Sequence, residues 1–144
     1  MDERIRQALF RQFETEPFAQ KFGLKLLALG EGYSLVEMTV THDMENMFRI
    51  AHGGALFALI DEAFETASNS HGTVAVALSM TVNYIAPPQT GSRLTAEARE
   101  FSLTRKTANY DIKVLDEKGQ LIASCQALVY RKGIVLPFLE EASP

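Results

Sequence analysis

Asn46-Met47-Phe48-Arg49-Ile50-Ala51-His52-Gly53-Gly54-Ala55-Leu56-Phe57-Ala58-Leu59-Ile60-Asp61-Glu62-Ala63-Phe64-Glu65-Thr66-Ala67-Ser68-Asn69 is the stretch whose reading decides the fold. It begins as a loop, passes His52-Gly53-Gly54 and becomes the most apolar helical segment of the chain, about Ala55 to Asn69, with Gly72 as a stop. Asp61 sits in the middle of that segment. Desolvating a carboxylate is costly unless a partner answers its charge.

Residues three and four apart share a helix face. Asp61 therefore falls on a stripe with Phe57, Phe64 and Ser68, one ring a turn before it and one a turn after. Glu62 falls with Ala58, Glu65 and Thr66, which reads as a solvated edge. Asp61 is then the acid expected to be partly desolvated, either as a paired structural carboxylate or as a base or nucleophile.

Working outward, residues 3 to 15 read as an amphipathic helix, with Ile5, Leu9 and Phe13 spaced by four and joined by Phe10. Pro17 marks the neighbourhood of its end. Leu24 to Ala28 and Tyr33 to Val40 are strand candidates, linked by the hairpin signal Leu29-Gly30-Glu31-Gly32. Beyond Gly72 the period becomes two: Val74, Val76, Leu78, Met80, Val82 and Tyr84 share one face until Pro87-Pro88 ends the strand. Residues 93 to 103, 107 to 115 and 120 to 131 are three more strands, the last two joined by the turn Asp116-Glu117-Lys118-Gly119. The order is helix, two strands, long helix, four strands. It predicts an α+β fold in which a curved antiparallel sheet covers one long helix. A sheet covers only one side of that helix, and a second subunit is the simplest cover for the other.

The 144 residues read as one domain: a helix at about 3-15, a core at about 22-131 and a tail at 132-144. Val135, Leu136, Phe138 and Leu139 let the tail pack on a neighbour; fraying is the alternative. A net charge of −4 argues against a general nucleic-acid partner. Cys125 is the only cysteine, which excludes an intramolecular disulfide and a cysteine metal site. The N-terminus lacks the apolar stretch of a signal peptide, and no run approaches the roughly 20 apolar residues of a membrane span. The expected location is cytoplasmic, without membrane contact.

His52-Gly53-Gly54 stands at the helix N-terminus, where the first N–H groups lack intrahelical partners and the dipole is positive. Glycines allow close approach to those donors, which suits a developing oxyanion. Gly53 and Asp61 are eight residues apart, roughly 12 Å of helix rise. Catalytic contacts are on the order of 3 Å, so one carbonyl cannot touch both groups of the same helix. Two antiparallel helices in a two-fold dimer would bring Gly53 of one chain to Asp61 of the other. His42 and His71 read as surface loop residues, and the three histidines show no metal-ligand spacing.

The run His52 to Phe64 with Ala67-Ser68-Asn69 resembles the helix signature of hotdog-fold acyl-CoA thioesterases, the PaaI-type (phenylacetate-pathway) subgroup most closely. The resemblance extends from about Phe22 to Arg131 and includes Met38-Thr39-Val40-Thr41, Asn46 and Tyr84-Ile85-Ala86-Pro87. It implies that Asp61 is the catalytic carboxylate, nucleophile or general base. It implies that the Gly53 N–H polarises the thioester carbonyl of the partner chain's substrate, and that Asn46 and His52 help hold the thioester and the loop. It further implies an acyl-CoA substrate, a homodimer or homotetramer (a dimer of dimers), and no metal or other cofactor. Some relatives of this kind hold the water with a Ser or Thr of the third strand; Ala77, Ser79 and Thr81 occupy that region here. Gly54, Phe57, Phe64 and Met47 are expected against the substrate, the last three around its acyl end. Arg99, Arg105, Lys106, Arg131 and Lys132 are candidates for the CoA phosphates, with the Arg105-Lys106 connection foremost. A non-catalytic acyl-CoA sensor and a hotdog enoyl-CoA hydratase or dehydratase using His52 with Asp61 are the alternatives.

Overall fold

A computed structural model describes residues 1–140. Helix α1, Glu3–Thr15, is capped by Asp2, whose carboxylate accepts the Arg4 N–H at 2.8 Å. It buries Ala8, Leu9 and Phe13. Pro17 then opens a second short helix, α2, Pro17–Lys21, which the sequence reading did not anticipate. Proline suits the first turn, where its missing N–H is no loss. Strands β1, Lys25–Gly30, and β2, Tyr33–Thr39, form the expected hairpin. A single 3-10 turn, His42–Met44, lies in the loop before the long helix α3, Gly53–Asn69. Four strands follow: β3, Thr73–Tyr84; β4, Arg93–Leu103; β5, Thr107–Leu115; and β6, Leu121–Val135. Residues Pro137–Glu140 make a final turn, α4.

The six strands form one antiparallel sheet in the order β1-β2-β4-β5-β6-β3. Alternate residues of its strands point at α3. Val36 and Met38, Leu94, Ala96 and Ala98, Tyr110, Ile112 and Val114, and Cys125 and Val129 close around Leu56, Leu59, Ile60, Ala63, Phe64 and Ala67. Leu59, Ile60 and Phe64 are each at most 1% exposed, a burial that stabilises by about 1.5–3 kcal/mol per side chain. Two serines clip the helix to the β1–β2 hairpin. Ser34 Oγ donates to the Ala63 carbonyl at 2.5 Å; Ser70 Oγ donates to the Ala67 carbonyl and accepts the Gly32 N–H, both at 2.7 Å.

The regular alternation expected for β3 is interrupted. A bulge between Ala77 and Ser79 shifts the register, so Ala75 packs on the core before it and Met80 and Val82 after it. Val76, Leu78 and Tyr84 are left 38%, 58% and 54% exposed on a strand at the sheet's edge. At the chain's other end, β6 runs past Arg131 to Val135, and Leu136 is buried against Leu9 and Leu29. Within the tail, Leu136, with Phe138 and Leu139 beside it, thus packs on its own chain; its last four residues lie outside the described ones. No helix among the described residues is long and apolar enough to cross a membrane.

Candidate active site

Sheet, hairpin and loop cover α3 on every side except one. Gly53, Phe57, Asp61 and Glu65, spaced by four, are the positions of the open stripe, while the residues between them are almost all buried. This is the uncovered side that the sequence left for a second subunit.

Asp61 is half-buried on that stripe and lines a cleft of about 780 Å³ between α3, the α1–α2 corner, β3 and the C-terminal turn. Phe13, Glu16, Phe64, Glu65, Ser68 and Ala77 share its walls. Asp61 makes no ion pair or side-chain hydrogen bond with any described residue, so it is not a paired structural acid within one chain. Burial first and the Glu16 carboxylate second push it above the usual carboxylate range. Cys125, behind it on β6, is pushed up to about 11, mainly by burial.

Glu62 is not the solvated residue that its stripe predicted. It is 2% exposed, and its Oε2 meets no hydrogen-bond donor. The reason is tertiary: the α1–α2 corner lays Glu16 against it, and burial and Glu16 together push it far above the carboxylate range. Glu65, at the open rim of the cleft, is raised to about 7 by packing around its carboxylate, then by Glu16 and Asp61. His71 also departs from expectation. Its side chain is 9% exposed, with Nε2 2.7 Å from a Glu100 oxygen to which the Tyr110 hydroxyl donates at 2.6 Å. His42, at 88%, is on the surface as expected.

At the helix N-terminus, His52 Nδ1 accepts the Gly54 N–H at 2.8 Å. The imidazole is therefore the N-cap, and Gly54 has no free donor. Among the described residues no acceptor takes the Gly53 N–H, which is left as the available donor of the first turn. Neither glycine has a positive φ. Space is tight around both: a Cβ on Gly53 would stand 3.3 Å from Tyr84 Cζ, and one on Gly54 would stand 3.1 Å from His52 Nδ1. The contact of Tyr84 with this turn was not foreseen; its hydroxyl donates to the Gly53 carbonyl at 3.2 Å. The Tyr-Ile-Ala-Pro strand end was the available signal.

Asn46 shapes the loop. Its Oδ1 accepts the N–H groups of Phe48 and Ile50, at 2.8 and 3.4 Å, and its backbone pairs with Ile50 and Arg49. Arg49 takes the left-handed conformation, φ 62°, to close the turn. The result lifts Met47, 88% exposed, and Phe48, 74%, off their own chain. Met47 therefore borders no acyl space within one chain. Phe64 does border the cleft, although its ring is core, edge-on to Tyr110 at 5.6 Å. Phe57 stands on the open stripe outside the cleft. Ala77 lines the cleft, whereas Ser79 and Thr81 alternate with the inward Met80 and Val82 and do not.

The basic candidates divide. Arg99 is held by Glu97 at 2.8 Å and covers the Tyr33 ring, so it is already engaged. Arg105 and Lys106 are exposed on the β4–β5 turn, beside Arg131, whose guanidinium donates to the Thr104 carbonyl at 2.7 Å. Arg131 pairs with Ala75 near the start of β3 and Gly53 lies by Tyr84 at its end, a separation of roughly 30 Å along the strand.

A family model for the thioesterase superfamily matches residues 48–123, so this chain belongs to that superfamily. Its sheet wrapped around a single long helix is the hotdog fold. Within the superfamily the chain is PaaI-like. It is 33% identical to the acyl-coenzyme A thioesterase PaaI of Escherichia coli K12 over 133 residues, 92% of this chain and 95% of that one. The solved E. coli PaaI structure superposes with a TM-score of 0.89 at 32% identity, covering 92% and 96% of the two chains. A mutant of the phenylacetic acid degradation protein PaaI from Thermus thermophilus is 42% identical, with a TM-score of 0.78 over 81% of this chain and 99% of that one. A Streptococcus mutans protein solved bound to acetyl-CoA is 26% identical, with a TM-score of 0.75 over 78% and 91%.

Proposed function

We propose that this protein hydrolyses acyl-CoA thioesters to a free acid and CoA at sites shared between two chains. Asp61 of one chain acts as nucleophile or as general base for water. The Gly53 N–H of the partner polarises the thioester carbonyl. The observation that carries the reading is the pairing of two unsatisfied groups on the one open stripe of α3: a desolvated carboxylate without a partner and a helix N-terminal N–H without an acceptor. Separated by roughly 12 Å of rise on one helix, they can meet on one carbonyl only across a two-fold axis.

Charge development follows from that placement. As a nucleophile attacks, negative charge grows on the carbonyl oxygen, and a fixed N–H at a positive helix end stabilises it without reorganisation. His52 holds the turn by capping Gly54, and Asn46 sets the loop that leads into it. The hydratase alternative is less well supported, because one nitrogen of His52 is already spent on that cap. The E. coli relative is named an acyl-coenzyme A thioesterase, and a homologous fold is solved with acetyl-CoA, which supports the substrate class.

A thiol-release assay over a panel of aryl- and aliphatic-acyl CoA esters tests this. Wild-type turnover with a loss of at least about 100-fold in Asp61→Asn, at unchanged assembly, is the expected result. Unaltered turnover in that variant overturns the role of Asp61. Tight acyl-CoA binding without any turnover makes the protein a binding module instead.

A further inference from the structure

We propose that Glu16, Glu62 and Glu65 form a binding site for one hard divalent cation of the Mg²⁺, Ca²⁺ or Mn²⁺ class, at the corner where the α1–α2 junction meets α3. One carboxylate oxygen from each residue lies within 4.8 Å of the other two. Such ions hold oxygen ligands at about 2.0–2.6 Å, so any two ligands of one ion are at most about 5 Å apart. The three oxygens therefore meet the spacing that ligands of one ion must have, with side-chain adjustment closing the shell.

A second observation asks for that ion. Glu62 is 98% buried, since 2% is exposed, and its Oε2 has no donor. A buried carboxylate oxygen is expected to be paired, protonated or bound to a metal. No cation among the described residues answers Glu62, and the side chain that hydrogen-bonds with it is another acid, Glu16. Among the described residues no Lys, Arg or His makes an ion pair with any of the three acids. The charges acting on Glu62 and Glu65 are all carboxylates, Asp61 among them. The cluster is also assembled from two distant segments. Glu62 and Glu65 share α3, and Glu16 reaches them only because Pro17 turns the chain sharply after α1. An arrangement that brings three acids together from separate elements, with one oxygen orphaned, fits a bound cation. The rival occupant is a proton shared between Glu62 and Glu16, which would satisfy one oxygen and leave Glu65 and Asp61 crowding the pair.

The site adjoins Asp61, whose cleft Glu16 and Glu65 also line, but none of its three ligands is given a role on the reacting carbonyl in the reading proposed above. With three protein oxygens and water completing the shell, affinity falls in the weak range, about 0.1–1 mM. Thermal unfolding of the full chain, stripped with chelator and held near neutral pH at matched ionic strength, tests the proposal. About 10 mM Mg²⁺, Ca²⁺ and Mn²⁺ are added one at a time. At least one is expected to raise Tm by roughly 3–8 °C, and a calorimetric titration with that ion should give one site per chain. Glu65→Gln, at the exposed rim, and Glu62→Gln each remove most of the shift. If Glu62→Gln does not fold, Glu16→Gln takes its place. The proposal is overturned if no cation moves Tm, or if the shift survives in the glutamine variants. A Glu62→Gln chain that is more stable than wild type, with no cation response in either, establishes the shared proton instead.

Discussion

Replacing Gly53 by alanine separates the space around this residue from its backbone. The backbone raises no objection, because Gly53 has no positive φ and stands at the first helical position. In a helix interior alanine is favoured over glycine by about 0.5–1 kcal/mol, and less at the first turn. Against that, the new Cβ meets Tyr84 Cζ at 3.3 Å and Oη at 3.4 Å, so the ring must retreat by a few tenths of an ångström. Tyr84 is 54% exposed at the end of an edge strand and can move. Its hydrogen bond to the Gly53 carbonyl, already long at 3.2 Å, is then lost at a cost of about 0.5–1.5 kcal/mol. The two effects nearly cancel, so Tm should change by no more than about 4 °C. Activity should not be so insulated. A methyl beside the Gly53 N–H stands where a thioester oxygen has to come, and loss of an oxyanion donor costs about 10²–10³ in turnover. Thiol-release kinetics on a folded Gly53→Ala protein should show a fall in kcat of at least about tenfold. Tyr84→Phe is the control: it removes only the hydroxyl and should keep most of the activity. A Gly53→Ala enzyme within threefold of wild type would refute the use of this N–H.

Ser70→Ala removes the acceptor of the buried Gly32 N–H and should cost about 1–3 kcal/mol in urea unfolding; a change under about 0.5 kcal/mol means that water has taken the serine's place. Cys125 is 3% exposed with its thiol pushed up to about 11, so the native protein should resist a thiol-specific disulfide reagent at mildly alkaline pH and react fully once unfolded; rapid native labelling would contradict the packing of β6 on α3. Leu78→Arg puts a charge on the exposed edge of β3 and should weaken self-association at least tenfold, or about 1.4 kcal/mol, in light scattering, with turnover lost in parallel. A monomeric variant of full activity would rule out shared sites.

What the sequence revealed and what it hid divide by range. The long helix, the strand count and the hairpins were readable because each is a local pattern of period 3.6 or 2. The partial desolvation of Asp61 was readable for the same reason: its neighbours on the helix carry rings. Glu62 was misread because its burial is tertiary and its hydrogen-bond partner, Glu16, is 46 positions away in the chain, and no periodicity reports that contact. His71 was misread likewise, since Glu100 on β4, itself held by the Tyr110 hydroxyl on β5, is its partner. In β3 the alternation looked unbroken, yet the bulge at Ala77–Ser79 changes which residues face inward; a period-two reading cannot see an extra residue. Tyr84 looked like the last member of an apolar face and turned out to be the lid on Gly53.

The open stripe and the edge strand argue separately for the proposed two-fold assembly. Along α3, Gly53, Phe57, Asp61 and Glu65 are what the sheet does not cover. Along β3, Val76, Leu78 and Tyr84 stay exposed beside unpaired backbone, an arrangement that folded proteins generally blunt or cover. Each end of β3 also touches a different part of the candidate chemistry: Tyr84 packs on Gly53, whereas Ala75 pairs with Arg131 beside the Arg105-Lys106 turn. Within one chain those ends are roughly 30 Å apart, so the basic turn and the helix N-terminus cannot both be close to one thioester. A two-fold axis near the middle of β3 would place one chain's Tyr84 end against the other's Ala75 end. The same operation that brings Gly53 to a partner's Asp61 would then bring a basic turn toward a partner's Gly53. A phosphate-bearing thioester would be gripped at both ends by different subunits, and neither end would be complete in a single chain.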